Sequence, residues 1–276
     1  MRLPQAFVDG VLRENGQAWL ATVPEQLYHY CHVWGLKLDG PPRHGYLGLA
    51  FPVRRAGGPA VLKLTRINEE TRDEAAALRF WNGRGAVQLL EAEPGVLLLE
   101  RLDAGRTLAA LELDAAVSVA SGLLRRLSLP APAEFLDMRE YTVGLLGLAR
   151  ARWERFQPFP ADWLRLPEVR QNLLVNQDLH YANVLAGSRE EWLVIDPKPL
   201  RGDPEFALAP LLWNRWEEGP VLERFEQLVR GGALDRAVAL EWTLFRVLEY
   251  WLWALDLGFT EDPGRCRALA EQLLQG

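Results

Sequence analysis

Three polar residues, Asp178, Asn183 and Asp196, constrain the fold and the chemistry of this chain more than any other feature of its sequence. The Asn lies five positions after the first Asp, and the second Asp lies thirteen positions after the Asn. Two short apolar runs lie between Asn183 and Asp196, separated by a polar stretch with a glycine at residues 187–190. This pattern predicts a hairpin with Asn183 at the start of its first strand and Asp196 at the end of its second. Both residues would then lie at one end of a small ribbon.

The spacing of these residues is typical of a phosphoryl-transfer site of the kinase type. In such a site the first carboxylate orients the attacking hydroxyl, so we predict Asp178 as the catalytic base; an ordinary surface aspartate is the alternative. The amide oxygen of Asn183 and the carboxylate of Asp196 are hard oxygen donors, which Mg²⁺ prefers. We therefore predict both residues as ligands of a magnesium ion bound to the nucleotide phosphates.

The motif has recognisable neighbours on both sides. Gly-Asp-Pro at residues 202–204 and Leu-Ala-Pro-Leu-Leu at residues 208–212 follow the motif, and residues 45–55 and 69–75 precede it. Together these stretches resemble the aminoglycoside phosphotransferase superfamily. Within that superfamily they are most similar to the branch of streptomycin and hydroxyurea phosphotransferases, and the similarity covers most of the chain. The resemblance implies ATP and Mg²⁺ as cofactors, and an α+β, bilobal protein-kinase-like fold with a small antiparallel β-sheet lobe and a mainly helical lobe.

The periodicity of the chain predicts the same division. Residues 4–34 have helical spacing. Residues 36–100 contain strands and turns with one helix over residues 68–81, and most of the chain after Thr107 is helical. We expect residues 1–102 to form an N-terminal lobe of helices and nucleotide-binding β-sheet. Residues 103–276 would form the helical lobe, with the catalytic and metal-binding loop and the substrate pocket. The helices predicted in this second lobe span residues 109–127, 135–156, 206–213, 221–228, 234–257 and 263–274.

A lysine and a glutamate of the first lobe have the order expected of a kinase. Two strands joined by a glycine-rich turn are predicted within residues 46–64, and Lys63 lies in the second strand. A helix is predicted over residues 68–81, with Asn68 as its N-cap and Glu74 near its middle. In kinases a strand lysine pairs with a helix glutamate, which holds the lysine on the α and β phosphates. Exposed, unrelated Lys and Glu side chains are the alternative, and the transfer motif downstream favours the pair.

The connection that follows the first lobe is the predicted site of the adenine base. Two further strands are predicted within residues 86–100. The resemblance implies a hinge from Glu100 to Leu102, whose backbone C=O and N–H groups would bond the adenine edge; an ordinary strand end is the alternative. The phosphate-covering loop would lie near Gly45 and Gly48. Because the sequence has no G-x-G-x-x-G motif there, a turn-forming role for both glycines is equally open.

Two positions depart from the pattern of the family. Asn176-Gln177 stands where the family commonly has His-Gly, so different hydrogen bonds would brace the catalytic loop. Ala207 stands where an Asp is common, which removes one possible brace of that loop. The roles of two other polar residues stay open. Lys198 would lie near the phosphates or in solvent, and His180 would serve in acid–base chemistry or hold the loop by a hydrogen bond.

The acceptor is predicted to contact the helix over residues 234–257. Glu249 and Asp256 are seven positions apart and therefore nearly on one helical face. Carboxylates beside aromatic rings suit ammonium or guanidinium groups, whereas packed aromatics with a solvated acidic edge are the alternative. The aromatic residues in question are Trp242, Tyr250, Trp251 and Trp253. Further carboxylates that would rim the pocket, or lie on the surface, are Glu205, Glu217 and Glu218.

Composition limits the partners of the protein. A formal net charge of −6 and a pI near 5.4 argue against a nucleic-acid-binding surface. No apolar run approaches the roughly 20 residues that a membrane helix needs. We expect a cytoplasmic protein with a small-molecule substrate and no nucleic-acid or membrane partner, and the sequence leaves its oligomeric state open.

These observations predict an ATP-dependent phosphotransferase that acts on a hydroxyl of a small polar molecule, either neutral or cationic. The resemblance makes an aminoglycoside of the streptomycin type the leading acceptor. Another small sugar or hydroxyl metabolite is an alternative, because the catalytic residues do not encode the acceptor. A nucleotide-binding protein of the same fold without useful catalysis is a further alternative, for which Ala207 and Asn176-Gln177 are the hints.

Overall fold

The computed structural model describes residues 3–13, 16–45 and 47–275, and the chain forms two compact units. Unit 1 consists of Met1–Asp103 together with Gly187–Arg189, and unit 2 consists of Ala104–Ala186 and Glu190–Gly276. Within the described ranges, no helix is long and apolar enough to cross a membrane.

Unit 1 contains an antiparallel sheet and three helices within its described residues. Its elements are α1 (Gln5–Arg13), α2 (Gln17–Val33), β1 (Lys37–Leu38), β2 (Arg43–His44), β3 (Gly48–Arg55), β4 (Gly58–Thr65), α3 (Glu74–Trp81), β5 (Leu89–Glu93) and β6 (Val96–Glu100). The strand order is β1-β3-β4-β6-β5, and β2 pairs with β3. The sheet therefore has the long hairpin of β3 and β4 near its centre.

The hairpin of β3 and β4 also forms the core of unit 1. Its strands pair without interruption from Gly48 opposite Thr65 to Arg55 opposite Gly58. Alternate residues of a strand share one face, and those of this hairpin are buried in one cluster with side chains of α1 and α2. The buried hairpin residues include Leu49, Phe51, Val53, Ala60, Leu62 and Leu64. The predicted strand pair is confirmed, while its predicted first residue, Tyr46, lies outside the described residues.

Helix α3 starts later than the sequence pattern predicts. Its first residue is Glu74, whereas the prediction placed the start at Asn68 and Glu74 near the middle. The Asn68 side chain accepts hydrogen bonds from the N–H groups of Glu70 and Thr71, both at 3.0 Å. The Thr71 hydroxyl in turn donates to the Arg66 carbonyl at 2.9 Å. These side chains close turns with the backbone in competition with helix formation, so the segment before Glu74 is not α-helical.

The strand predicted to start at residue 86 is also displaced, because β5 starts at Leu89. The residues before it are held by side chains. The Gln88 N–H donates to the Glu100 carboxylate at 2.7 Å, and the Glu100 N–H donates to the Gln88 carbonyl at 3.0 Å. Arg189 donates to the Ala86 carbonyl at 3.2 Å and to the Glu100 carboxylate at 2.6 Å. An arginine from residues 187–189 thus completes this edge of unit 1.

Unit 2 is mainly helical. Its elements are β7 (Asp103–Thr107, whose first residue belongs to unit 1), α4 (Leu113–Leu127), α5 (Met138–Phe156), β8 (Leu173–Asn176), β9 (Val184–Ala186), β10 (Trp192–Val194), β11 (Pro199–Gly202), α6 (Leu208–Trp213), α7 (Val221–Gly232), α8 (Arg236–Asp256) and α9 (Asp262–Gln275). Strands β9 and β10 pair antiparallel, as do β8 and β11. Helix α8 packs against α5, α6 and α9 and forms much of the core.

Four helices of unit 2 start later than predicted, among them α8, which starts at Arg236 rather than at residue 234. Helix α4 follows a 3₁₀ turn at Leu108–Ala110, and α6 follows a 3₁₀ turn at Pro204–Ala207. Helix α5 starts after Asp137, whose carboxylate accepts the Arg139 N–H at 2.8 Å and caps the first turn. The helical pattern in the sequence therefore extends beyond the α-helices themselves, because short 3₁₀ turns and capping residues share their composition.

A buried carboxylate connects the chain before β8 to α8. Asp203 is fully buried and accepts the Arg170 N–H at 3.0 Å, the Gln171 N–H at 2.6 Å and the Trp242 indole N–H at 2.9 Å. A buried carboxylate is stable only when several donors replace the water that it loses. Asp203 satisfies this condition and in return fixes the approach of the chain to β8.

We expect Asp203→Ala to lower the free energy of unfolding by about 3 kcal/mol or more, because it leaves buried N–H donors without an acceptor. Chemical denaturation measures this loss. Glu271→Ala is the matched control, since Glu271 is exposed and pairs with Arg267 one helical turn away, and it should change stability by less than about 0.5 kcal/mol. Equal effects of the two substitutions would contradict the role given to Asp203.

Candidate active site

In unit 1, strand β4 and helix α3 bring together the predicted lysine and glutamate. The Lys63 ammonium lies 2.6 and 2.7 Å from the two carboxylate oxygens of Glu74. Both residues are buried: Lys63 is 8% exposed and Glu74 is 3% exposed. Because β4 presents Lys63 and the first residue of α3 presents Glu74, the pair forms even though the helix starts later than predicted. The ammonium is thereby held at a fixed place beside the sheet.

Gly48 lies next to this pair. A Cβ atom on Gly48 would lie 3.5 Å from the Lys63 Cε and 3.0 Å from the Thr65 hydroxyl oxygen. A side chain on Gly48 would thus fill the space beside the lysine. The glycine keeps that space open, which fits the approach of a phosphate group to the ammonium.

The two residues of the predicted hinge differ in their backbone hydrogen bonds. The Glu100 N–H donates to the Gln88 carbonyl, and the Glu100 carboxylate binds Arg189. Any contact of Glu100 with adenine therefore falls to its C=O group. Leu102, in contrast, forms no backbone hydrogen bond within the described part of the chain. Its N–H and C=O groups fit the predicted contact with an adenine edge.

In unit 2, Asn176 braces the loop that carries Asp178. The Asn176 Oδ1 accepts two backbone N–H groups, from Asp178 at 3.2 Å and from Lys198 at 3.0 Å. The Gln177 N–H donates to the Lys198 carbonyl at 3.0 Å. These bonds join the loop after β8 to the segment before β11. The departure from His-Gly is thus accounted for, because the Asn side chain supplies the brace.

The predicted metal ligands lie on segments that are tied to the same loop. The Asn183 side-chain amide donates to the Asp178 carbonyl at 3.3 Å, and the Asn183 carbonyl accepts the Ile195 N–H at 2.9 Å. Asp196 follows directly and has a left-handed backbone with φ of 54°, which is unfavourable for a residue with a Cβ and typical of functional sites. The structure therefore gathers the segments of Asp178, Asn183 and Asp196.

These two oxygen donors suit a magnesium ion. Asn183 uses its NH₂ end for the Asp178 carbonyl, which leaves the amide oxygen as the end for a metal. Among the described residues, no group of three or more His, Cys, Asp and Glu side chains is arranged to hold a metal. A metal at this place would therefore take further ligands from phosphate or water, as Mg²⁺ on a nucleotide does.

His180 lies in the loop that carries Asp178 and is largely surrounded by protein. Burial lowers its pKa below the ordinary histidine value, and the nearby carboxylates of Asp178 and Asp196 only partly oppose this effect. Its backbone carbonyl accepts the Asn183 N–H at 2.9 Å. Its backbone therefore helps to shape the loop, while both roles predicted for its side chain stay predictions.

Lys198 is found against the predicted base. Its ammonium nitrogen lies 3.3 Å from Oδ2 of Asp178, and its side chain is 25% exposed. Of the two positions predicted for Lys198, the structure excludes a purely solvated lysine.

The carboxylates predicted for the acceptor are ion-paired with helix α5. Glu249 lies 3.6 Å from Arg152, while Asp256 lies 3.3 Å from Arg152 and 2.9 Å from Arg155. Arginines more than 90 positions away in the sequence thus neutralise both charges. Both carboxylates therefore have cationic partners within the protein, and the predicted contact with a cationic acceptor stays a prediction.

The aromatic residues of α8 divide into two groups. Trp242 and Trp251 are buried in the core. Tyr250 stacks on Trp213 with ring centroids 4.7 Å apart and lies 5.3 Å from Trp253. These three rings are partly exposed and form an aromatic row on one side of α8.

The three carboxylates predicted at the pocket rim have different environments. Glu205 is 1% exposed, accepts the Asp235 N–H at 3.0 Å, and therefore lies neither on a rim nor on the surface. Glu218 pairs with Arg215 through two contacts at 2.9 and 2.5 Å. Glu217 is exposed. Burial is the main reason that the pKa of Glu205 is raised above the ordinary glutamate value.

One structural residue was not recognised in the sequence. Ala207 is fully buried and lacks the carboxylate that an Asp would provide; Asn176 braces the loop of Asp178, and the unrecognised residue, Asp203, ties the chain before β8 to α8. Asp203 lies before a proline, which also suits an ordinary turn. The backbone donors that it binds are more than 30 positions away, so no local signal marks its role.

Comparison with known proteins gives a consistent set of matches. A family model described as aminoglycoside/hydroxyurea antibiotic resistance kinase matches residues 33–258. A hydroxyurea phosphotransferase of Kitasatospora aureofaciens is 43% identical over 293 residues, covering 99% of this chain and 86% of that protein. A streptomycin 6-kinase of Streptomyces griseus is 40% identical over 292 residues, covering 94% of this chain and 92% of that protein.

Solved structures match over most of the chain at low sequence identity. The crystal structure of aminoglycoside phosphotransferase APH(4)-Ia has a TM-score of 0.63 and 17% identity, covering 91% of this chain and 99% of its own. Choline kinase from Cryptosporidium parvum has a TM-score of 0.58 and 11% identity, covering 87% and 88%. The α+β, protein-kinase-like fold predicted from the sequence is confirmed by these matches.

The Lys63–Glu74 pair leads to a stability prediction. Lys63→Met should lower the free energy of unfolding by about 3 kcal/mol, because it leaves the buried Glu74 carboxylate without its counter-ion. The double variant Lys63→Met/Glu74→Leu should recover most of that loss, because no buried charge remains. Urea denaturation of the single and double variants measures both values. A double variant less stable than Lys63→Met would contradict this account.

Glu205 leads to a prediction about pH. Since the folded state raises its pKa, the folded state binds the proton more tightly than the unfolded chain, and stability falls as pH rises through the raised value. Glu205→Gln mimics the protonated form. Its stability advantage over the wild type should therefore grow from about pH 4 to pH 7, as urea denaturation at several pH values would measure. An advantage that is constant or that shrinks with pH would show that ionisation of Glu205 does not oppose folding.

Proposed function

The chain belongs to the family of aminoglycoside/hydroxyurea antibiotic resistance kinases, and we propose that it transfers the γ-phosphoryl group of ATP to a hydroxyl of a streptomycin-type aminoglycoside. The observation that carries the proposal is that hydrogen bonds join the segments of Asp178, Asn183 and Asp196. The chain also belongs to a family of kinases, which transfer phosphoryl groups. The activity is assigned to the cytoplasm, where ATP is available.

Residues of the first 102 positions are proposed to bind the nucleotide. Lys63, fixed by Glu74, donates to the α and β phosphates, and Gly48 keeps the space beside the ammonium open. The backbone groups of Glu100 and Leu102 bind the adenine edge. The support for this arrangement is the buried ion pair and the Leu102 backbone, which has no hydrogen bond within the described residues.

Residues from position 103 onward are proposed to carry the transfer. Asp178 accepts a hydrogen bond from the acceptor hydroxyl and orients its oxygen toward the γ-phosphorus. Asn183 and Asp196 hold Mg²⁺. The ion, when bound, supplies positive charge that neutralises the phosphate oxygens. Asn176 keeps the loop of Asp178 in register with the segment that follows Asp196.

A small neutral hydroxyl compound such as hydroxyurea is a second candidate acceptor. One observation favours it: the carboxylates of Glu249 and Asp256 are already neutralised by Arg152 and Arg155. A polycationic aminoglycoside would have to find other anionic partners. A hydroxyurea phosphotransferase is also among the relatives with more than 40% identity.

The test is transfer from ATP, followed by mass spectrometry, with streptomycin and hydroxyurea in separate reactions. We expect a mass gain of one phosphoryl group on streptomycin, and no product when Mg²⁺ is withheld. Asp178→Asn should lower kcat by about 100- to 10,000-fold, because the base no longer accepts the proton, while nucleotide affinity stays within about threefold.

Asp162→Asn is the matched control, because Asp162 is an exposed carboxylate of the same unit, and its turnover should equal that of the wild type. If hydroxyurea is phosphorylated and streptomycin is not, hydroxyurea replaces streptomycin as the proposed acceptor. Nucleotide binding without transfer to either compound would overturn the assigned reaction. Unchanged turnover in Asp178→Asn would overturn the assignment of Asp178 as the base.

A further inference from the structure

Lysine is rare in this chain, and its positions are informative. Of the 31 Lys and Arg residues, only Lys37, Lys63 and Lys198 are lysines. Lys37 is exposed on β1, Lys63 belongs to the buried pair, and Lys198 contacts Asp178. The chain uses arginine for nearly all of its other positive charges, so a lysine against the predicted base calls for a specific chemical reason.

The backbone of Lys198 is held rigidly. Its N–H donates to Asn176 Oδ1 at 3.0 Å, and its carbonyl accepts the Gln177 N–H at 3.0 Å. Prolines precede and follow it at positions 197 and 199, and each fixes its own φ angle and restricts the residue before it. The start of the Lys198 side chain is thus fixed relative to the loop of Asp178.

The chemistry of an ammonium group differs from that of a guanidinium at such a place. An ammonium is a compact charge with three rotatable donors, whereas a guanidinium is a planar fork that pairs with a carboxylate along an edge. An ammonium 3.3 Å from Asp178 Oδ2 is therefore able to contact that carboxylate and a phosphate oxygen at the same time. An arginine here would keep the charge but would pair with the carboxylate along one edge, which restricts its approach to the phosphate oxygen.

We propose that Lys198 is a further catalytic residue, which binds oxygens of the γ-phosphoryl group during transfer while it contacts Asp178. Asn176 is the positioning residue for both, because one amide oxygen accepts the backbone N–H of each. This proposal rests on the proposed function, and it assigns a role to a lysine that the transfer motif itself does not require.

The reaction balances with Lys198 protonated throughout. The oxygen of the acceptor hydroxyl forms a bond to the γ-phosphorus, and its proton goes to the Asp178 carboxylate. The bond from the γ-phosphorus to the oxygen that bridges to the β-phosphorus breaks, and its electron pair leaves with ADP. The Lys198 ammonium donates hydrogen bonds to the non-bridging γ oxygens in the substrate, in the transition state and in the phosphorylated product.

The arrangement also lowers electrostatic repulsion. Asp178 and Asp196 place two carboxylates where a triphosphate would bring further negative charge, and like charges at short range oppose binding. The Lys198 ammonium offsets this repulsion at Asp178, as a magnesium ion held by Asn183 and Asp196 would at Asp196. Without it, the predicted base would repel the phosphoryl group that must approach its substrate.

The test compares nucleotides that do and do not carry a γ-phosphate. Calorimetry should measure binding of AMP-PNP and of ADP, each with Mg²⁺, to the wild type and to Lys198→Met. We expect AMP-PNP affinity to fall about tenfold or more in Lys198→Met, because charged hydrogen bonds to the γ oxygens are lost. ADP affinity should stay within about twofold, and kcat should fall as well.

Two further variants complete the design. Lys37→Met is the matched control for loss of an exposed lysine, and it should leave both affinities and kcat unchanged. Lys198→Arg retains the positive charge, so it should bind AMP-PNP more tightly than Lys198→Met does. Circular dichroism of each variant verifies the fold, and because the Lys198 side chain is partly exposed, the substitution leaves no buried charge behind.

The outcomes separate this proposal from the proposed function. Equal loss of AMP-PNP and ADP affinity in Lys198→Met would show a structural role and overturn the assignment of Lys198. Unchanged AMP-PNP affinity with unchanged kcat would overturn it as well, while phosphorylation of the acceptor by the wild type would leave the proposed function intact. A wild type that binds neither nucleotide would overturn both.

Discussion

A single buried oxygen atom, Oδ1 of Asn176, holds the reactive loop of this protein in place. It accepts one N–H from the residue proposed as base and another from the lysine proposed beside it. These two residues are 20 positions apart in the sequence, and their side chains meet at 3.3 Å. The contact therefore depends on a short amide side chain that reaches both strand ends. The two backbone N–H groups are both donors and could not bond to each other.

Several carboxylates of unit 2 have partners within the protein. Asp203 is surrounded by N–H donors, Glu249 and Asp256 are paired with arginines of α5, and Glu218 is paired with Arg215. Buried or partly buried carboxylates need such partners to offset the loss of water. The consequence is that these acidic residues of unit 2 have their own cationic or N–H partners within the protein.

The sequence predicted that the segments of Asp178, Asn183 and Asp196 come together, because these residues lie close together along the chain. Asp178, Asn183 and Asp196 fall within 19 residues, and a local hairpin is enough to gather them. The Lys63–Glu74 contact was also predictable, since strand and helix follow one another directly. The helix start was wrong because Asn68 and Thr71 bond the backbone locally, which a hydrophobic pattern does not reveal. Contacts between residues distant along the chain, such as Asp203 with Arg170 or Asp256 with Arg155, leave no trace in local periodicity.

Unit 1 is not a continuous stretch of sequence, because Arg189 belongs to it. This arginine donates to the backbone carbonyls of Gly83 and Ala86 and to the carboxylate of Glu100. A gene fragment that ends at residue 103 would therefore encode the strands of this unit without one of its tethers. Recombination between relatives at that boundary would exchange a sheet while leaving its arginine behind. The loop between β9 and β10 is thus expected to co-vary in evolution with residues 83–100, although more than 80 positions separate them.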